Sequence, residues 1–241
     1  MKSSRQEQAR LLELQGIDIE IARLDYRAKT LPVLEKLEQA ERGRDAHRDL
    51  AIAGGAERSD VEAELRRAES DVEQVVGRIE KDQKLIDSGT VSAKDLENLL
   101  GELKSLGRRK EELEEVELEV MVRLEEINAR ITEHSSERDR FESEANAHAA
   151  ERDKAHAEID SARTSLLADR QEIESGISKE LIELYLKVRE LNGGVGAAKL
   201  ENGQCLGCHL QINAVEVTRI KALPDDEVVR CDECRRILVR I

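Results

Sequence analysis

The spacing of four cysteines is the clearest chemical signal in this chain. Cys205-Leu206-Gly207-Cys208 and Cys231-Asp232-Glu233-Cys234 form C-x2-C-x22-C-x2-C and use all four cysteines of the sequence. Two cysteines three apart can reach one ion from a tight turn whose backbone N–H groups point at the sulfurs. A second such turn completes a tetrahedron of thiolates, which suits Zn2+. The expectation is one structural zinc on Cys205, Cys208, Cys231 and Cys234. A redox C-x-x-C calls for a βαβ setting that is absent here, two disulfides call for an oxidising compartment, and an iron–sulfur site is the remaining alternative. His209 follows Cys208, but four thiolates already close the site, so His209 is not expected to ligate.

The elements that must position these cysteines read as a ribbon over 195–241. Segments 195–200 and 227–230 look like short strands. Ile237, Val239 and Ile241 alternate with Leu238 and Arg240. Asn213 with Glu216 can cap a short helix holding Val217, Ile220 and Leu223, ended by Pro224. So short a region buries little surface, and a metal staple is expected. It carries seven basic and seven acidic residues. Arg219, Lys221, Arg230, Arg235, Arg236 and Arg240 are its candidate contacts to phosphate or to a protein partner. Arg235 and Arg236 could also offset the negative charge of a zinc–thiolate site. No Phe, Tyr or Trp is present there to stack on bases.

Residues 1–194 read as the carrier of this ribbon. Charged residues make up 38% of the chain and aromatics 1%, a composition of long helices and coiled coils. Ser4-x-x-Glu7 is a capping box. Leu14, Ile17, Ile21, Leu24, Ala28 and Leu31 then recur at heptad steps, and Pro32 places a break near 30–32. The next helix runs from about 33 to 87. Gly43, Gly54 and Gly55 weaken its first half and suggest a bend or a partner contact near Gly54-Gly55. Val61, Leu65, Ala68, Val72, Val75, Ile79, Asp82 and Ile86 form a clear heptad seam in its second half.

A stop, a short loop and a start follow within 87–92. Gly89 supplies a left-handed stop, and Ser92 with Asp95 begins the return. The return helix is expected unbroken from 93 to 192, which would be about 150 Å, ending at Asn192-Gly193-Gly194. His134 and His148 lie at or near its seam and are expected to set register. With the turn near residue 90, Pro32 would face the alanine-rich stretch around His148, and the first helix would lie along 150–176. The fold class is therefore mainly α: a long antiparallel coiled-coil hairpin with a small C-terminal zinc ribbon of short β-strands.

The net charge is −14, and all of the excess falls on 1–194. Such an arm repels nucleic-acid backbones and fits protein partners. No apolar run approaches a membrane span, and the N-terminus does not read as a signal peptide, so a cytoplasmic protein is expected. No nucleophile–base pair or phosphate-binding Gly-rich loop is present, so the reading is non-enzymatic. The reading is a zinc-binding adaptor or regulator working by protein–protein interaction. The alternative is DNA or RNA binding through the ribbon. Leftover apolar faces leave room for a homodimer through the coiled coil.

Leu31-Pro32, the turn Ser88-Gly89-Thr90-Val91 before Asp95-Leu96, Gly193-Gly194, and Cys205-x-x-Cys208-His209 with Cys231-x-x-Cys234 together resemble a bacterial family. It comprises C4-type zinc-ribbon proteins built on a long coiled-coil hairpin, and the resemblance covers essentially the whole chain. It implies the fold given above, with a regulatory or chaperone-like role linked to flagellar or type III secretion, or nucleic-acid binding by the ribbon. One departure is Arg235, which follows Cys234 where a glycine is frequent in such ribbons.

Overall fold

The computed structural model describes residues 1–240. Its elements are α1 (Arg5–Lys29), α2 (Pro32–Asp87), α3 (Ala93–Ser175), α4 (Lys179–Leu191), β1 (Ala197–Glu201), β2 (Gln204–Cys205), α5 (Ala214–Ala222), β3 (Val229–Arg230) and β4 (Ile237–Val239). Long helices joined by a tight turn carry a small sheet at the C-terminal end, as the periodicity and the cysteines imply.

The boundaries follow local chemistry. Ser4 and Glu7 make both halves of a capping box. Pro32 occupies the first turn of α2, where its missing N–H costs nothing. Gly89 takes φ +65° after α2. The Ser92 hydroxyl accepts from the Asp95 amide at 3.3 Å to open α3. The return is not one helix, however. It breaks at Gly176-Ile177-Ser178 and resumes as α4. Ile173, Ile177 and Leu181 keep helical spacing across the break, so the apolar pattern conceals it. Groups from α1 compensate the lost helical bonds. Arg10 donates to the Gly176 carbonyl (3.1 Å), and Glu7 accepts from the Ser178 amide (2.9 Å).

Contacts gather the residues into two compact units: Met1–Leu34 with the chain from Ala150 onward, and Glu35–Ala149. This grouping cuts across the modules 1–194 and 195–241 because the sheet packs on α1 and α4. Leu11, Leu14, Leu181 and Tyr185 share one core with Ala197, Ile237 and Val239.

In the unit Glu35–Ala149, apolar layers repeat. Val61 packs with Val120 and Ile127, and Leu37 and Ala40 pack with Ala145. α2 is continuous through Gly43, Gly54 and Gly55. Gly43 and Gly54 mark close approach instead of a break: a Cβ on either would stand 2.8 Å from Phe141 or Ile131. His134 does sit in the seam, with its Nδ1 3.3 Å from that of His47, and Phe141 stacks on His47. Facing pairs are equidistant from residue 90 at Arg78–Glu102 and then slip, with Glu64 meeting Arg123 and Glu57 meeting Arg130.

In the other unit, α1 lies along the end of α3, through Asp25–Arg163 (3.1 Å) and Asp18–Arg170 (2.8 Å). The residues around the break at Pro32 are a correction to the expected register. Leu31 and Val33 pack on Ile159 and Ala155, beyond the stretch around His148. The sheet order is β2-β1-β4-β3, with β1 and β4 parallel and the other pairs antiparallel. Ile241, read as the end of the last strand, lies outside the described residues.

Candidate metal centre

The two C-x-x-C turns are built alike. In the first, the His209 amide donates to the Cys205 carbonyl (2.8 Å), and the Cys205 amide donates to the Leu210 carbonyl (3.1 Å). In the second, Arg235 donates to Cys231 (2.8 Å), and Cys231 donates to Arg236 (2.9 Å). Each loop closes through a residue in the left-handed region: His209 at φ +62° and Arg235 at φ +64°. This conformation suits glycine best, so Arg235 tolerates the strain that its place after Cys234 implied, and His209 shares it. Neither is a ligand position.

Amides also converge on the sulfurs. Those of Gly207 and Cys208 point at Cys205, and those of Glu233 and Cys234 point at Cys231. The four sulfurs all lie within 4.8 Å of one another. Cys205 is 3.9 Å from Cys234, and Cys208 is 4.0 Å from Cys231. A regular tetrahedron with bonds of about 2.3 Å has edges near ~3.8 Å, so the spacing fits a zinc ion at its centre. These separations are twice a disulfide bond, and all four cysteines are free thiols.

The protein environment treats the thiols unequally. Burial pushes Cys205 up to about 12, against its amide donors. Burial likewise raises Cys231. Burial would raise Cys234 too, but the amide and side chain of Arg236, with hydrogen bonds from Cys231 and Cys208, outweigh it and hold that thiol down to about 7. Arg236 thus acts as the expected offset to negative sulfur. Arg235 is exposed.

The basic residues considered for phosphate or partner contact are not one patch. Arg236 donates to the carbonyls of Asn192 and Val195 (both 3.1 Å). Arg240 clamps the α5 exit by donating to Ile220, Pro224 and Glu227 carbonyls. Arg230 donates to the Arg235 carbonyl (2.9 Å). Arg219 pairs with Glu216, which therefore leaves the capping role to Asn213 alone. Lys221 and Arg235 remain exposed, with no bond of this kind from their side chains among the described residues.

Sequence reasoning missed the polar groups that seat the ribbon. Gln15 is buried, with its carbonyl accepting from the Gly196 amide (2.6 Å) and its amide donating to Gly194 (2.9 Å). Gln8 donates to Ser3 and Asp225 carbonyls. Asp18, 3% exposed, accepts from Arg170 (2.8 Å) and from the Tyr185 hydroxyl (2.5 Å), with Arg189 3.3 Å away. Burial, then Asp18 itself, drives the Tyr185 hydroxyl well above its ordinary value. The signal was present. Leu11, Leu14, Gln15 and Asp18 form one helical stripe at i, i+3, i+4 and i+7. Expected seam residues Ile17 and Ile21 are only half-buried.

Comparison with known proteins agrees with this architecture. A model of the CT398-like coiled coil hairpin domain matches residues 14–193, and one of the C4-type zinc ribbon domain matches 204–238. An uncharacterised protein of Mycobacterium tuberculosis is 36% identical over 241 residues, covering 100% of this chain and 98% of the relative. One from Mycobacterium leprae is 28% identical, covering 90% of this chain and 93% of the relative. A solved Mycobacterium smegmatis structure superposes with a TM-score of 0.88 at 35% identity, covering 100% of both chains. CT398 from Chlamydia trachomatis, at 18% identity and a TM-score of 0.72 over 98% of each chain, shares the fold.

Proposed function

We propose a function from one premise: the chain belongs to the family of CT398-like coiled coil hairpin proteins. In this reading the protein is a non-enzymatic, zinc-containing adaptor or regulator, acting in the cytoplasm through surfaces on the hairpin and the ribbon. One zinc ion sits on Cys205, Cys208, Cys231 and Cys234. Closed coordination by four thiolates leaves no open position for substrate, so the ion supplies shape.

The observation that carries the choice of protein partners over nucleic acid is the fate of the basic residues. Arg219, Arg230, Arg236 and Arg240 are committed to bonds within the ribbon and its seat. Of the six candidates, Lys221 and Arg235 alone, among the described residues, keep side chains free to meet phosphates, on a chain of net charge −14. Such a surface lacks the footprint that counterion release requires.

The test compares the zinc-loaded chain with its Cys231→Ser/Cys234→Ser variant by affinity capture from the native cell. A stoichiometric protein partner that survives nuclease treatment and is lost with the variant supports the reading. A partner kept by the variant docks on the hairpin; no stoichiometric protein partner on the zinc-loaded chain, or capture that nuclease abolishes, defeats the reading. Binding of DNA or RNA at ~50 mM salt that disappears in a Lys221→Ala/Arg235→Ala chain would favour the nucleic-acid alternative instead.

A further inference from the structure

Within Glu35–Ala149, four large apolar side chains of α3 stand in water within one short stretch. Val116 is 48% exposed, Leu118 61%, Met121 41% and Val122 54%. Val116 flanks the layer that Leu113, Val120 and Ile127 bury, and Leu118 and Val122 lie on the far side of the helix from it. Val116, Leu118 and Val122, together with Ala68 of α2, border an open groove whose charged lining is Glu64, Asp71, Glu115 and Glu119 with Arg67 and Arg123. An apolar patch of this kind, rimmed by charge, marks an interaction surface.

The rim has a definite pattern. Glu111, Glu115, Leu118, Val122 and Glu125 are all exposed and follow one another at steps of four, three, four and three. They form an outward heptad stripe with an apolar centre and carboxylates at both ends. Segment 111–126 holds eight glutamates and one arginine. That arginine, Arg123, is engaged by Glu64. Glu112 and Glu114 are paired with Arg109 and Lys110. Glu111, Glu115 and Glu125 have no basic partner among the described residues.

This charge pattern decides the occupant. A second copy laid antiparallel, with Leu118 facing Val122, would set Glu115 against Glu125. A parallel copy would set Glu115 against itself. Like charges across a helix pair oppose association in either orientation. Nucleic acid and anionic lipid surfaces meet the same repulsion. We propose that this stripe docks a basic amphipathic helix of a protein partner, one with apolar residues at its central seam positions and Lys or Arg on both sides. Leu118 and Val122 fill the seam, and Glu111, Glu115 and Glu125 meet the cations. The inference rests on the adaptor reading and gives its partner a chemical class.

The probe is a synthetic helical peptide of about three heptads, with Leu at its central seam positions and Lys at the flanking ones. A control peptide carries Glu for Lys. Fluorescence anisotropy with the zinc-loaded full chain at ~0.1 M salt should show binding of the Lys peptide alone. Leu118→Ser/Val122→Ser should weaken it about tenfold or more. Glu115→Lys/Glu125→Lys should also weaken it and should admit the Glu peptide. The second pair changes only exposed charges, so it keeps the test decisive if the first perturbs α3. Three results would overturn the proposal: no binding, equal binding by wild type and both variants, or sedimentation showing the chain paired with itself through Leu118 and Val122. If native-cell capture depends on the cysteines while these α3 substitutions leave peptide binding unchanged, the docking stripe falls and the adaptor reading stands.

Discussion

The unit that carries the ribbon and the unit Glu35–Ala149 are held by different means. The first relies on a few buried polar residues and four clustered sulfurs: Gln8, Gln15, Asp18 and the cysteines each join segments far apart in sequence. The second relies on repetition. Small layers such as Val61 with Val120 and Ile127 recur, tied at the surface by pairs such as Arg130–Glu57. Stability in the first is concentrated, so one side chain can unseat it. In the second it is spread, so single exposed changes should do little.

The sharpest way to break that contrast is to remove the metal or a ligand. Metal binding to structural cysteine sites is worth roughly 10–16 kcal/mol in small zinc domains, on the order of their whole folding energy. Chelation, or Cys231→Ser, should therefore unfold β1, β3 and β4 around the site. Hydrogen exchange should show loss of protection at Ala197–Glu201 and Ile237–Val239, while amides near Val61 and Val120 keep theirs. Simultaneous loss in both units would mean they are not independent.

Next in size is Asp18. Removing one partner of a buried ionic cluster leaves the others uncompensated, and Asp18→Ala should cost about 3–5 kcal/mol. Arg130→Ala, which breaks an exposed pair of the other unit, should cost ~1 kcal/mol or less. Urea unfolding of the two variants measures both. Adding Tyr185→Phe to Asp18→Ala should cost less than the two single effects combined, because they share one hydrogen bond.

This contrast also explains what could be read before the structure. The seam from Val61 to Ile86, the turn at Gly89 and the four cysteines depend on local spacing, which one sequence displays. Even Asp82, a carboxylate in that seam, is buried as its position requires. The break at Gly176 was hidden because its compensation comes from Glu7 and Arg10, far away in sequence. Gln15 and Asp18 were passed over as polar, although they share the stripe of Leu11 and Leu14. The parallel pairing of β1 with β4 depends on tertiary closure that no local pattern records. At the site, the cysteines were legible, and the commitment of Arg236 and Arg240 to carbonyls was not.

A smaller test probes the glycines of α2, where the two kinds of position have opposite signs. Gly43→Ala would place a methyl group 2.8 Å from the Phe141 ring, and overpacking of this sort costs about 1–3 kcal/mol. Gly55→Ala meets nothing within 4 Å and should gain up to ~1 kcal/mol from helix propensity. Thermal melts should move down for the first and up for the second. A loss in both would show that the weak stretch is kept for some purpose other than close packing.

The smallest expected effect lies at Glu7, which belongs to the seat of the ribbon but is reached by solvent. Its carboxylate is held down to about 2, first by the Ser4 amide and, against a burial cost, by the Ser3 and Ser4 hydroxyls and the Ser178 amide. A depressed carboxylate favours the folded state fully above its ordinary value of 4.5, and that contribution fades as pH falls toward 2. Solvent screening limits its size. Glu7→Gln should therefore lower stability near neutral pH, with the gap to wild type closing as the solution is acidified through that window. The Ser178 amide should exchange faster in the variant at pH 7, because its partner oxygen is no longer charged. A constant gap across the whole range would mean that Glu7 acts by shape and not by charge.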